Sequence, residues 1–370
     1  MRLLFTRFPL ESAHGGAENQ TMWLAEGLKR NGHTVGFLGS CPVVLSAFSS
    51  LKAQSSKLLI GPPPVTKWSA MSFLWRRQKM QKTLIDAFEA LPERPDAIFM
   101  LSLSEKLLLT DYAHEKGIKV FWIEHDRIGR WLTMNPWLPA LKKVSAHAEI
   151  ICVSELSRRM YIEMGFDASK VIAISNGVPK ESQVTSHKSQ VLKNAGESLG
   201  LGCVARLSTE KGIDVLLHAL ENIPEVSLDI IGTGSDEGYL RTLIHQDTER
   251  MGGERIHIRK SMSSLDDFYA SIDVLVLPSR EHDPFGLVVA EAMMRGIPVI
   301  VTDACGVAGY LKDGVDALIV EANEPHALAD AIRRILEPNF RKVLGEQGRA
   351  TARKLFSIET MVKRYEKLIS

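Results

Sequence analysis

Short apolar runs alternate along this chain with longer stretches whose apolar positions repeat every three or four residues. The runs Leu3 to Phe5, Thr34 to Leu38, Ala97 to Leu101, Lys119 to Ile123, Glu149 to Val153 and Val171 to Ile174 are too short for buried helices and read as buried β-strands. A helical pattern covers Ala17 to Arg30. The stretch Lys180 to Ser198 is polar and has no apolar period, which fits a linker. The pattern then restarts with Gly202 to Ala205, Ser227 to Ile231, Ile256 to Ile258, Val274 to Leu277 and Val299 to Val301. Such alternation predicts parallel sheets with helices on both faces. The restart predicts two Rossmann-like, doubly wound α/β domains, 1–179 and 199–355, facing each other across a cleft and joined by a linker over 180–198. The final stretch puts Ile358, Met361, Val362, Tyr365 and Leu368 on one stripe, a helix over about 356–370 able to pack back on the N-terminal domain or on its neighbour.

Length agrees, since 370 residues exceed one ordinary core. A content of 45% hydrophobic and 24% charged residues is that of a globular protein. Cys41, Cys152, Cys203 and Cys305 are scattered without a C-x-x-C pair, so neither a zinc site nor a disulfide framework is indicated and a reducing cytoplasm is expected. The N-terminal MRLLFTRF is too short in its apolar run for a signal peptide. No window approaches the roughly 18 consecutive apolar residues of a membrane span. The net charge of +1 hides an imbalance: Lys plus Arg number 22 against 16 acidic residues over 1–179, and 23 against 28 over 180–370. A basic half fits a polyanionic partner surface, or is a charge fluctuation between two domains.

The densest chemistry lies in Pro278 to Pro298, PSREHDPFGLVVAEAMMRGIP. It follows a strand and sets Asp283 and Glu291 around a Phe-Gly turn that opens a helix. A helix N-terminus at the carboxyl end of a parallel strand suits a diphosphate or sugar hydroxyls. The two carboxylates could hold two ends of one polar ligand; alternatively Asp283 caps the helix and Glu291 is solvated. Arg206 and Lys211 follow the strand Gly202 to Ala205, where they would meet an anion or simply water. Gly15 and Gly16 open the first helix, as close-approach glycines or as turn chemistry. Ile230 to Gly234, IIGTG, lacks the full G-x-G-x-x-G spacing, and Arg259 and Lys260 follow another strand.

Four blocks in order, HGGAENQTMWLAEGLKRNGHTV at 14–35, VSELSRRMYIEMGFDASKVIAISNGV at 153–178, VARLSTEKGIDVLLHAL at 204–220 and Pro278 to Pro298, resemble glycosyltransferase family 4, the retaining nucleotide-sugar transferases of GT-B fold. The resemblance implies that Asp283 and the backbone of Phe285, Gly286 and Leu287 hold the donor sugar and diphosphate, and that Glu291 takes the ribose hydroxyls. It implies that Arg206 and Lys211 bind the diphosphate, that Gly15 and Gly16 approach it, and that Gly232, Gly234 and Lys260 lie toward the base. His125 matches a recurrent family histidine near the sugar. Asp283 stands where the family carries Glu, which keeps the charge and shortens the reach by one methylene.

The implied activity moves a hexose-type sugar with retention, from a UDP-sugar ahead of a GDP-sugar, without a metal and with no cofactor beyond the donor. The implied acceptor is a glycan or lipid-linked molecule of lipopolysaccharide or other envelope polysaccharide synthesis. Residues 62–82 mix Trp68, Met71, Phe73, Leu74 and Trp75 with Lys67, Arg76, Arg77, Lys79 and Lys82, fitting a helix laid on an anionic membrane or an ordinary amphipathic helix. The expected location is therefore the cytoplasm, with peripheral contact at the inner face of its membrane. A nucleotide-sugar 2-epimerase on the same fold is the rival enzyme, though its acid and base set cannot be identified. The other rival, a non-enzymatic polyanion-binding protein that uses the basic half, is opposed by aromatics that form no RNA-binding motif and by the intact donor-site blocks, so nucleic acid is not an expected partner.

Overall fold

The structure, a computed structural model, describes residues 1–10, 15–180, 198–262 and 264–370. The chain divides into two compact units, Met1–Gly177 with Ile358–Ser370, and Val178–Ser357. Nearly all of the stretch read as a linker lies outside the described residues.

The first unit begins β1 (Arg2–Arg7), α1 (Gly16–Arg30), β2 (Thr34–Gly39), α2 (Pro42–Ser50), β3 (Gln54–Lys57) and α3 (Lys67–Glu89). It continues β4 (Ala97–Met100), α4 (Leu103–Glu115), β5 (Lys119–Glu124), α5 (Arg130–Thr133), α6 (Leu138–Val144), β6 (Glu149–Cys152), α7 (Glu155–Glu163) and β7 (Val171–Ala173). Its seven strands pair in the order β3-β2-β1-β4-β5-β6-β7, and every pairing is parallel. Side chains alternate across a strand, so Leu4 enters one core with α3, α4 and α6, while Leu3 and Phe5 enter the other with α1 and α2.

The second unit runs β8 (Leu199–Val204), α8 (Ile213–Ala219), β9 (Val226–Ile231), α9 (Glu237–Met251), β10 (Ile256–Arg259), α10 (Leu265–Ser271) and β11 (Val274–Leu277). There follow α11 (Leu287–Met294), β12 (Val299–Thr302), β13 (Leu318–Val320), α12 (Pro325–Ile335) and α13 (Pro338–Leu355). The strand order is β10-β9-β8-β11-β12-β13, again all parallel. The last helix, α14 (Ile358–Ile369), belongs to the first unit. There Ile358, Met361, Val362, Tyr365 and Ile369 are buried and Leu368 is partly so.

The fold is thus two doubly wound parallel α/β domains, as the alternation predicts. Each sheet reverses its strand order once, at β1/β4 and at β8/β11. Loops leaving the carboxyl ends of two such strands diverge to opposite faces and leave a crevice, where open α/β sheets bind ligands. Two strands escape the apolar pattern. β3 (QSSK) is a polar edge strand with no buried face, and β13 has only the three residues Leu-Ile-Val.

Candidate functional site

At the switch point of the second unit, the loop leaving β8 and the loop leaving β11 are fastened to each other. Arg280 N–H donates to the Glu210 carbonyl at 2.9 Å. The Arg280 side chain spreads over Thr209 O (3.2 Å), Asp214 Oδ2 (2.5 Å) and Asn323 Oδ1 (2.8 Å). Gly212, which caps α8 at φ +63°, allows the approach, because a Cβ there would stand 2.2 Å from the Pro278 carbonyl oxygen.

The fastening delivers Lys211 to Asp283. Nζ lies 2.5 Å from Oδ2, and the side chains are only 16% and 10% exposed. Asp283 also receives the Ser279 hydroxyl at 3.3 Å and the Phe285 N–H at 3.4 Å. Its own backbone is stitched to the loop after β12, through Asp283 N to Ala304 O (2.9 Å) and Gly306 N to Asp283 O (2.8 Å). This carboxylate is therefore neither a loose helix cap nor solvated.

α11 opens immediately afterwards. Gly286 holds φ +86°, and a Cβ there would meet Cys305 Sγ at 2.6 Å. The Phe285 ring is core, edge-on to Phe356, and its carbonyl accepts from Val307 N at 2.8 Å. Among the described residues, the N–H groups of Gly286 and Leu287 have no protein acceptor, leaving them as donors at the positive end of the helix. Phe285 N–H, by contrast, is turned to Asp283, so of the three backbone groups implied for the donor only two are without a protein acceptor among the described residues.

Glu291 is not a solvated helix residue either. It accepts the Tyr269 hydroxyl at 2.7 Å, and burial pushes its carboxyl above the usual range while that hydrogen bond works the other way. Arg206 behaves differently from Lys211: its side chain is 70% exposed and pairs with Glu210 at 3.5 Å. The structure does not bring the two cations together on Asp283. Gly232 and Gly234 have an observed structural reason. A Cβ would lie 1.9 Å from the Ala205 carbonyl oxygen at the first and 2.1 Å from that of Leu207 at the second. They let the loop after β9 run along the loop after β8. Lys260 is exposed, and Arg259 pairs with Asp229 at 3.1 Å.

The switch point of the first unit carries a second cluster. Gly15 caps α1 in an extended conformation, and Glu18 in the first turn takes Arg7, the last residue of β1, at 2.6 Å. On the opposite face of the sheet Lys106 of α4 takes Glu124, the last residue of β5, at 2.8 Å. All four side chains are less than a tenth exposed. His125 follows Glu124, and its pKa is pushed down to about 3 by desolvation first and then by the positive charges of Arg7 and Lys106. The ring is neutral at physiological pH. Glu105 accepts from Ser102 N (2.7 Å), Leu101 N (3.2 Å) and Thr6 Oγ1 (3.4 Å). Burial raises its carboxyl to about 7.

The two ion pairs and Glu105 were not legible as site groups. Their one sequence signal is charge set directly against apolar runs, as in LLFTR, KVFWIE and SEKLLL.

On α3, Trp68 and Trp75 are each 77% exposed, with Met71 and Leu74 about half exposed beside them. Lys67, Arg77, Lys79 and Lys82 are also exposed. Arg76 does not join this face. Its guanidinium folds back on Pro62 O, Ser69 O and Ser72 Oγ, because helix and preceding loop offer it carbonyl acceptors at close range. No helix among the described residues is long and apolar enough to cross a membrane.

Residues 14–182 match the family model described as Glycosyltransferase Family 4, and residues 185–351 match that described as Glycosyl transferases group 1. An uncharacterized glycosyltransferase of Methanocaldococcus jannaschii is 28% identical over 325 residues, 83% of this chain and 84% of that protein. The lipopolysaccharide core biosynthesis glycosyltransferase LpsE of Rhizobium meliloti is 29% identical over 168 residues, 45% of this chain and 48% of its own. Among solved structures, Anabaena HepE in complex with UDP aligns at a TM-score of 0.79 with 21% identity, covering 100% of this chain and 99% of that one. The same protein with UDP-glucose aligns at 0.77 with 22% identity and the same coverage.

Proposed function

The chain belongs to the glycosyltransferases that these two family models describe, with their GT-B fold, and from that premise we propose that it transfers a hexose from a nucleoside-diphosphate sugar to a glycan or lipid-linked acceptor. The observation that carries this reading is the buried Lys211–Asp283 pair beside the N-terminus of α11, at the switch point of its sheet. An ammonium has three N–H donors. One is committed to Asp283, and the others are available to a diphosphate, whose charge also favours the first turn of α11. Asp283 then offers its acceptor capacity to sugar hydroxyls next to that diphosphate, and Glu291 to the ribose. A UDP-sugar is favoured ahead of a GDP-sugar, because HepE was solved with UDP and UDP-glucose. The similarity to LpsE favours an acceptor of lipopolysaccharide or other envelope polysaccharide synthesis.

In the proposed reaction the bond between the anomeric carbon and the diphosphate oxygen breaks. A bond to the acceptor oxygen forms on the same face, and the acceptor proton passes to a departing phosphate oxygen. Lys211 stabilises the charge developing on the leaving group from a fixed position. Arg206, exposed on the same loop, supplies a second cation where its long side chain can swing to the diphosphate. His125, neutral, donates or accepts one hydrogen bond without adding charge at the sugar. No step assigns work to a metal, so EDTA is expected to leave turnover unchanged.

The exposed face of α3 fits peripheral contact with an anionic bilayer, with Trp68 and Trp75 at the headgroups and Arg77 and Lys79 on the phosphates. The deciding experiment is donor hydrolysis and binding with UDP- and GDP-sugars in EDTA, repeated with Asp283→Ala and Glu291→Ala. One donor bound selectively, with loss in both variants, supports the reading. Binding of no donor sinks it, and interconversion of the free donor without acceptor transfers it to the 2-epimerase class.

A further inference from the structure

The two carboxylate oxygens of Glu291 stand in different situations. Oε2 accepts the Tyr269 hydroxyl at 2.7 Å, whereas among the described residues no group donates to Oε1. Tyr269, on α10, is 2% exposed. Its oxygen also lies 3.4 Å from the Val288 carbonyl, but a phenol has one proton, and the short contact to a charged acceptor takes it.

The far side of the tyrosine is gripped as firmly. The Arg295 guanidinium lies 4.5 Å over the ring centroid, donates to the Glu291 carbonyl at 2.9 Å and pairs with Asp266 of α10. Asp266, Arg295, Tyr269 and Glu291 therefore form one continuous stack tying α10 to α11. A glutamate that only faced water would need none of it.

We propose that Tyr269 is a positioning residue for nucleotide recognition, its hydroxyl fixing Glu291 by one oxygen so that the other is presented to the vicinal diol of a ribose. This rests on the reading of Glu291 as the ribose ligand. A helical glutamate has several rotamers, and binding a diol to a mobile one requires it to be ordered at that moment. The tyrosine does the ordering in advance, by a charge-assisted bond from a ring that is itself packed. Loss of the hydroxyl also leaves a buried carboxylate short of a donor, so the ionised form that accepts both ribose hydroxyls becomes less favoured.

The test is calorimetric titration of the full chain with UDP and GDP and with their 2′,3′-dideoxy counterparts, for wild type, Tyr269→Phe and Arg295→Gln. Wild type is expected to prefer the ribonucleotide by roughly tenfold or more. Tyr269→Phe should weaken the ribonucleotide by roughly three- to tenfold and leave the dideoxy form unchanged, so the preference shrinks. Arg295→Gln should do the same to a smaller extent, and it decides the matter if the Phe variant does not fold. Equal weakening of both nucleotides, or no change in either, overturns the role of Tyr269 while leaving Glu291 as ribose ligand. A wild type that binds both forms alike overturns the Glu291 reading itself, and one that binds neither UDP nor GDP overturns the donor site.

Discussion

Removing Lys211 should separate its structural contribution from its chemical one. The pair is short and both side chains are less than a fifth exposed, so Lys211→Met strands a carboxylate with little water. Breaking a buried pair from one side costs about 3–5 kcal/mol. Asp283 keeps the Ser279 hydroxyl at 3.3 Å and the Phe285 N–H at 3.4 Å, two donors that offset part of the loss of its cation. A cost near the lower limit, about 3 kcal/mol, is therefore expected. For the unit Val178–Ser357, at about 2–4 °C per kcal/mol for a domain of such size, the melting transition should fall by roughly 6–12 °C.

The double variant Lys211→Met with Asp283→Asn removes both charges. It should recover most of that loss, since two neutral side chains leave no stranded ion. Activity should not recover: both variants should lose at least about 100-fold in kcat/KM, because a fixed cation at a developing phosphate charge is absent from each. Calorimetry on wild type, both single variants and the double, with donor hydrolysis on the same preparations, reads both quantities. A single variant melting within about 1 °C of wild type would show that the pair is not desolvated. A double variant that regains activity would refute the assignment of Lys211 to the leaving group.

Glu105 should make the first unit lose stability as pH rises. Its folded pKa of about 7 exceeds the ordinary 4.5, so the folded state holds a proton that the unfolded state sheds between those values. Glu105→Gln, which keeps the acceptor oxygen, should flatten the urea-denaturation midpoint between pH 5 and 8, and parallel profiles would count against the shift. His125, depressed to about 3 from 6.5, contributes stability above about pH 6.5 that is lost as pH falls toward 3. Its ring NMR signals should stay fixed from pH 5 to 8, and Lys106→Met should move its titration upward by removing one cation, with desolvation, the larger cause, still holding it below the ordinary value. Gly212→Ala should cost about 1–2 kcal/mol for the left-handed backbone alone, add the clash with Pro278, and lower donor hydrolysis by displacing Lys211. Gly238→Ala, with nothing within 4 Å of its added methyl, should be neutral or slightly stabilising in α9.

What could be read from the sequence follows the range of the interaction. Strand runs such as IDVLVL and the stop at Gly296 and Pro298 are local, and the observed β11 and α11 follow them closely. The parallel architecture was legible because buried parallel strands are apolar on both faces, whereas β3 has no such face and β13 is too short to stand out. The pairing of Lys211 with Asp283 spans 72 positions and is made by Arg280 and Gly212, neither of which advertises itself in a sequence. Arg7–Glu18 and Lys106–Glu124 span only 11 and 18 positions and are hidden for another reason, since a charge at a strand end or on a helix reads as solvated until the packing of that helix on the sheet is known. The sequence pattern did place Asp283 after a strand and Glu291 in the helix that follows, where the structure has them. It could not distinguish exposed Arg206 from buried Lys211, or inward Arg76 from outward Arg77, because within each pair the residues share a loop or a helix and differ in their tertiary partners. Glu124 after KVFWI and Arg7 after LLFT set a charge against an apolar strand and belong to buried pairs, but Arg259 at the end of IHIR is half exposed, so it is the tertiary packing and not the adjoining strand that buries the charge.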